Sequence, residues 1–140
     1  MTKKEIVEIL DVPCKEIHDL LGINRKALIS LVVANTNWLQ FDKPYFDFKK
    51  AGKKYDHPIT KNDLFMIYNN FLDSFTYFNE NIMKNNKDFK EGWRNRQTFK
   101  GFILGLKKAQ IIDEKIVSAC FDTLHTFDYN VWKEILYKDD

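Results

Sequence analysis

The stretch "KEIHDLLGINRKALIS", from Lys15 to Ser30, decides how the first part of this chain folds. Its apolar residues recur at helical spacing on both sides of Gly22, which is typical of two amphipathic helices. Gly22 readily adopts the left-handed conformation that ends a helix, and Asn24 can cap the helix that follows. The stretch therefore predicts a helix, a tight turn, and a second helix that runs to about Asn35.

The segment before this stretch predicts one more helix. Residues 3–10 carry four apolar side chains at helical spacing, namely Ile6, Val7, Ile9 and Leu10. Asp11 and Pro13 indicate its end, because proline fits the first turn of a helix and interrupts the interior of one. We therefore expect a short helix over these residues, and we expect the helix that precedes Gly22 to begin near Pro13.

The residues around Gly22 resemble the helix-turn-helix superfamily over positions 14–33. The positions that match its aliphatic, glycine and capping pattern are Ile17, Leu21, Gly22, Ile23, Asn24, Leu28 and Leu31. The resemblance implies that the helix after the turn lies in the major groove of DNA. Its polar residues would then contact bases or phosphates, and these are Asn24, Arg25, Lys26 and Ser30.

Two features depart from the superfamily. His18 occupies a position where the first helix usually carries a small residue, so the two helices would cross slightly further apart. The helix after the turn is unusually apolar, and it places Ile29 and Val33 on the side that should face the bases. This composition favours another interpretation, in which the helix is buried on most sides.

The segment from Asn37 to His57 has aromatic residues near every second position, with turn signals at residues 42–44 and 51–52. This pattern predicts short strands and a hairpin. Four lysines surround the second turn, namely Lys49, Lys50, Lys53 and Lys54. In the winged variant of the superfamily a basic hairpin contacts the DNA backbone, where lysines gain affinity by displacing counterions. The alternative is a lysine-rich turn exposed to solvent.

The rest of the chain has the periodicity of helices. Thr60 and Asp63 resemble a capping box. The apolar stripe between Lys87 and Ala109 changes phase, which predicts two helices or one kinked helix. Asp113 can cap a further helix, and one more follows it. We expect a mainly α fold, with a winged-helix-like head containing a short β-hairpin over residues 1–58 and a helical bundle over 59–140.

Charge is segregated in the second half of the chain. Between Lys84 and Lys108, eight basic residues stand against Asp88 and Glu91, a net charge of +6. From Ala109 to the end, three lysines stand against seven acidic residues, a net charge of −4. The basic part offers a second candidate DNA surface, made of Lys87, Lys90, Arg94, Arg96 and Lys100. The alternative is a solvated helix face.

Gly101 and Gly105 lie four residues apart and so share one helical face, where they permit close approach of another helix. Tight packing within the chain is one interpretation of this pair. The other is a homodimer formed through the C-terminal helices, which would suit a regulator that binds two DNA half-sites.

Other patterns exclude several classes of protein. Cys14 and Cys120 lack paired spacing, which predicts free thiols in a reducing cytoplasm. Neither cysteine has zinc-finger spacing with a histidine, so we expect no metal site. No phosphate-binding loop, dinucleotide fingerprint or catalytic set is present, so we expect neither an enzyme nor a cofactor. No apolar run reaches the length of a membrane span, and the protein is predicted to be cytoplasmic.

Together these patterns predict a DNA-binding transcriptional regulator whose partner is double-stranded DNA. Residues with AT-rich codons are abundant, which indicates a low-GC bacterium, a phage or a mobile element as the source. The alternative is a small phage-encoded protein that inhibits a host protein, such as a CRISPR nuclease or a replication factor, by direct binding. The two hypotheses differ over Arg25, Lys26 and the lysine hairpin, because only a DNA-binding protein needs these cations for its contacts.

Overall fold

The computed structural model describes residues 2–39, 69 and 71–137. These residues form helices and turns, and no β-strand occurs among them. The helices are α1 (Lys3–Leu21), α2 (Arg25–Thr36), α3 (residues 71–83, in which Phe78–Met83 is π-helical), α4 (Lys90–Arg94), α5 (Phe99–Lys108), α6 (Glu114–Thr126) and α7 (Tyr129–Leu136). A short 3₁₀ turn, Lys87–Phe89, precedes α4.

The first helix is continuous, and the break predicted at Asp11–Pro13 is wrong. Helix α1 begins at a capping box in which Thr2 and Glu5 hydrogen-bond each other's backbone N–H groups, and it passes through Pro13. A proline inside a helix costs about 3 kcal/mol. The buried stripe of α1 offsets that cost because it runs unbroken past the proline, through Ile6, Val7, Leu10, Cys14 and Ile17.

The predicted turn between α1 and α2 is confirmed. Gly22 adopts the left-handed conformation with φ of 70°, and its N–H donates to the carbonyl of His18 at 2.8 Å. The side chain of Asn24 accepts a hydrogen bond from the Ala27 N–H at 3.0 Å and so caps α2. Local residue types therefore fix the ends of both helices.

Helix α2 lies in the centre of the molecule. Its sequence is apolar on almost every side, and all residues from Ala27 to Val33 are buried. Such a helix has to be covered on most of its circumference. Helix α6 forms the most extensive contact with it, while α1 and α5 pack on other sides. The interpretation of α2 as a helix buried on most sides is confirmed.

This arrangement corrects the predicted fold class. The mainly α prediction is confirmed, but the winged-helix-like head is not, because the described residues are helical and include no strand. The N-terminal helices share one apolar core with α5, α6 and α7, since the side chains of α2 need cover that α1 alone does not supply. Most of the predicted hairpin, and the predicted boundary at residues 58–59, lie outside the described residues.

The phase change between Trp93 and Phe99 corresponds to two separate helices, α4 and α5. Their backbones meet at Gly92 and Gly105, where a Cβ on Gly105 would lie 2.5 Å from the Gly92 Cα. The interpretation of Gly105 as a site of tight packing within the chain is confirmed. None of the described helices combines the length and apolar character that a membrane span requires.

Candidate nucleic-acid interface

Asn24 and Arg25, two of the predicted groove contacts, have partners within the fold. The amide nitrogen of Asn24 donates to the carbonyl of Gln97 at 3.1 Å, and its backbone N–H donates to the carbonyl of Arg96 at 2.9 Å. Arg25 forms a two-pronged ion pair with the buried Asp11. Burial raises the pKa of Asp11, and the nearby Arg25 guanidinium opposes that effect.

Lys26 and Ser30, the other two, also contact the interior. The amine of Lys26 lies 5.4 Å from the centre of the Trp132 ring, and partial burial lowers its pKa. Ser30 is fully buried and its hydroxyl donates to the Ala27 carbonyl at 2.8 Å. All four polar residues at the start of α2 thus contact other groups of the protein. Their role as contacts to the DNA groove stays a prediction. The hairpin lysines (Lys49, Lys50, Lys53 and Lys54) lie outside the described residues.

Arg96 belonged to the second predicted basic surface, but its guanidinium contacts other groups of the fold. Its Nε donates to the carbonyl of Leu21 at 2.6 Å, its Nη1 donates to the carbonyl of Trp93 at 3.0 Å, and its guanidinium lies 4.4 Å from the centre of the Trp93 ring. Arg96 therefore fastens the α4–α5 turn to the end of α1. The other four members of that surface, Lys87, Lys90, Arg94 and Lys100, are exposed.

Lys90 and Arg94 lie one helical turn apart on α4 and line the same cavity, together with Lys84 from the turn after α3. We call this cavity, of about 410 Å³, the cationic pocket. Its described lining residues are Asn79, Met83, Lys84, Asn86, Lys90, Trp93 and Arg94, and none of them is acidic. None of its three cations forms an ion pair within the described part of the chain.

Lys100 belongs to a different surface. It lines a separate cavity that also contains Asp88, Glu91 and Lys108, so carboxylates accompany the lysines there. Lys108 is 3.5 Å from Glu91, and Lys107 pairs with Glu114. Three cations without an ion pair in the described part of the chain, Lys84, Lys90 and Arg94, therefore lie together at the cationic pocket.

The side chain of Asn79 gives the cationic pocket an unusual polar group. Asn79 belongs to the π-helical part of α3, where its backbone carbonyl accepts a hydrogen bond from the Lys84 N–H at 3.0 Å. Its side-chain oxygen is buried and has no hydrogen-bond partner among the residues that the structure describes. Buried polar atoms are rarely left without a partner, because the lost hydration is costly. Asn79 lines the cationic pocket, so its amide group is a polar member of that lining.

Sequence reasoning included Lys90 and Arg94 but missed Asn79, Lys84 and Trp93 as members of one site. Lys84 carried a signal, since it opens the basic segment. Asn79 carried none, because its role depends on the π-helical geometry of α3. Among the described residues, no group of three or more histidine, cysteine or acidic side chains is placed to hold a metal ion.

Comparisons of the chain with protein-family models, with curated proteins and with solved structures found no match.

Proposed function

We propose that this chain is a non-catalytic DNA-binding protein that contacts phosphates through the cationic pocket and acts in transcriptional regulation. One observation carries the proposal: Lys84, Lys90 and Arg94 converge on one cavity without a carboxylate among its described lining residues. Three uncompensated cations close together attract a polyanion and gain affinity by releasing its counterions.

The location of this surface also suits DNA better than the N-terminus of α2 does. The polar groups of Asn24, Arg25 and Ser30 form hydrogen bonds with other groups of the protein. The cations of the cationic pocket are exposed and form no ion pair with any described residue, so binding DNA breaks no ion pair of the described fold. Phosphate contacts of this kind position a protein on DNA without reading its sequence.

The test compares two triple variants that remove the same charge. Lys84→Ala/Lys90→Ala/Arg94→Ala empties the cationic pocket of cations. The control, Lys4→Ala/Lys107→Ala/Lys108→Ala, removes three lysines that pair with Glu134, Glu114 and Glu91. Binding of each protein to a fluorescent DNA duplex is measured across a salt series.

We expect the first variant to bind duplex DNA more weakly and to lower the slope of log affinity against log salt by roughly 2–3, since each phosphate contact contributes about 0.9. The control should keep a slope close to that of the unmodified protein. Equal losses in the two variants would show that net charge, and not this surface, governs binding. No binding by the unmodified protein at low salt would end the proposal.

A second candidate function is direct inhibition of a host protein, and one observation favours it. Val12 and Leu20 on α1 are 62% and 76% exposed, and they lie among the acidic residues Glu16 and Asp19. Exposed apolar patches rimmed by polar residues mark protein-binding surfaces, and Val12 and Leu20 are the exposed aliphatic side chains with which α1 could contribute to one. The test measures CRISPR interference and plasmid replication in bacteria that express the chain. Inhibition that Val12→Ser/Leu20→Ser abolishes, and the first triple variant retains, would favour this function over DNA binding.

A further inference from the structure

The cationic pocket combines features that a site for the DNA backbone alone does not need. Trp93 and Met83 form an apolar part of the pocket lining. The indole of Trp93 is half-buried, and the Arg96 guanidinium lies against its ring. Asn79 adds the buried oxygen that has no partner among the described residues. A phosphodiester backbone passing over the surface would use the cations but neither the aromatic wall nor the amide.

The size of the cavity points to a small ligand or to the end of a strand. About 410 Å³ lies within the range of 300–1,000 Å³ that is typical of small-molecule pockets. Such pockets are mostly apolar with a few polar groups that orient the ligand. A cavity of this size can hold one nucleotide, whereas a DNA duplex can contact only the cations at its rim.

Asn79 indicates where the organic part of the ligand lies. A carboxamide has an acceptor oxygen and a donor nitrogen, and a half-turn of the group exchanges them. Because Asn79 lines the pocket, its amide can pair there with the edge of a base or with a sugar hydroxyl. The π-helical turn Phe78–Met83 holds this group, and such turns are frequent at functional sites.

We propose that the cationic pocket binds one nucleotide that carries a terminal phosphate, with the phosphate among Lys84, Lys90 and Arg94, the base against Trp93 and a hydrogen bond to Asn79. This inference rests on the proposed function, which it deepens by naming the part of the nucleic acid that the site recognises. A terminal phosphate carries close to two negative charges at neutral pH, against one for an internal phosphodiester. These three cations therefore favour the terminal group.

The nucleotide has two sources, a free nucleoside monophosphate or the phosphorylated end of a strand. Fluorescence anisotropy with the full chain distinguishes them, using four probes at one salt concentration. The probes are a single-stranded oligonucleotide with a 5′-phosphate, the same strand with a 5′-hydroxyl, the same strand with a 3′-phosphate, and a fluorescent nucleoside monophosphate. A hydroxyl-ended duplex reports on the proposed function separately.

We expect a phosphorylated strand to bind about tenfold more tightly than the hydroxyl-ended strand, as an added charge-assisted contact implies. Tight binding of the free monophosphate as well would assign the site to a soluble nucleotide, and binding of phosphorylated ends alone would assign it to nucleic-acid ends. Equal binding of phosphorylated and hydroxyl-ended strands, with no binding of the monophosphate, would overturn the inference. If the hydroxyl-ended duplex still bound in that case, the proposed function would stand without the nucleotide site.

Matched variants locate the effect. Asn79→Leu removes the buried oxygen, and Asn81→Leu changes an exposed asparagine of the same turn that does not line the pocket. We expect Asn79→Leu to abolish most of the preference for the phosphorylated nucleotide and Asn81→Leu to keep it. Thermal unfolding checks that both fold, and Lys90→Ala, at an exposed position, provides a second variant with the same expected loss. Preserved preference in Asn79→Leu and Lys90→Ala would overturn the inference.

Discussion

Arg25 and Asp11 form a two-pronged ion pair between the start of α2 and the middle of α1. Nε of Arg25 donates to Oδ1 of Asp11 at 3.0 Å, and Nη2 donates to Oδ2 at 2.5 Å. Both side chains are only 11% exposed. The pair compensates the charge of Asp11, which lies inside α1 near Pro13. Arg25 thereby links α1 to α2.

Replacing Arg25 with alanine should therefore destabilise the fold. Arg25→Ala leaves the Asp11 carboxylate buried without its partner, which costs about 3–5 kcal/mol for a pair of this kind. Urea unfolding measures the change. The control is Asp11→Ala/Arg25→Ala, which leaves no buried charge and should cost less than the sum of the two single changes. A loss of less than about 0.5 kcal/mol in Arg25→Ala, the scale of ordinary surface substitutions, would contradict the structural role.

The same variant should change how stability depends on pH. Burial already raises the pKa of Asp11 above its ordinary value of 3.8, and Arg25 opposes that rise. Without Arg25 the folded-state pKa rises further. A carboxyl whose pKa is higher in the folded state stabilises the fold below its unfolded pKa and loses that contribution as pH rises through the folded pKa. Arg25→Ala should therefore lose more stability than the unmodified protein as pH rises above the ordinary pKa of 3.8. Parallel stability curves for the two proteins would refute this.

Asn24 should contribute to stability through two contacts that substitutions separate. Its side-chain oxygen caps α2 at the Ala27 N–H, and its nitrogen donates to the carbonyl of Gln97. Asn24→Ala removes both and should cost about 1–2 kcal/mol. Asn24→Asp keeps the capping oxygen and removes the donor, so its thermal midpoint should lie between those of the other two proteins. Equal midpoints for Asn24→Ala and Asn24→Asp would show that the cap contributes nothing.

Gly105 should not tolerate alanine. A Cβ there would lie 2.5 Å from the Gly92 Cα, so α4 and α5 would have to move apart. Overpacking of this kind costs about 1–3 kcal/mol, which exceeds the roughly 1 kcal/mol that alanine gains over glycine in a helix. Chemical denaturation measures the balance, with Leu104→Ala at an exposed neighbouring position as the control. Increased stability of Gly105→Ala would mean that the two helices separate at little cost.

The two cysteines should resist alkylation in the folded protein. Cys14 and Cys120 are both fully buried. Burial raises the pKa of Cys14 well above its ordinary value and that of Cys120 to about 12, where a hydrogen bond with Ser30 has a smaller opposite effect. Thiolate is the reactive form, so alkylation at neutral pH should follow unfolding. Mass spectrometry across a urea series measures this. Complete labelling of either thiol in the absence of urea would contradict it.

Several features of the fold could be predicted from the sequence because they depend on residues close together in the chain. Gly22, Asn24 and Asp113 end or begin helices through hydrogen bonds that span three or four residues. The apolar composition of α2 likewise predicted its burial. The phase change before Phe99 predicted either two helices or one kinked helix, and α4 and α5 correspond to the first alternative.

The break at Pro13 was predicted wrongly for an instructive reason. Proline disfavours the interior of a helix through local effects, namely the missing N–H and the clash with the preceding turn. The stability that keeps α1 continuous comes from burial against other helices, and α1 packs on both α2 and α7. Local propensity therefore loses to tertiary packing at this position.

The sequence by itself determined the helical character, the caps and the apolar centre, because each follows from neighbouring residues and their periodicity. Only the tertiary structure decided which polar residues remain available for a ligand. Asn24 is engaged by Gln97, 73 positions away, whereas Lys84, Lys90 and Arg94 converge on one cavity that Asn79 also lines. Hydrogen bonds and burial between distant segments depend on how helices pack, and helix packing is set by the whole core at once.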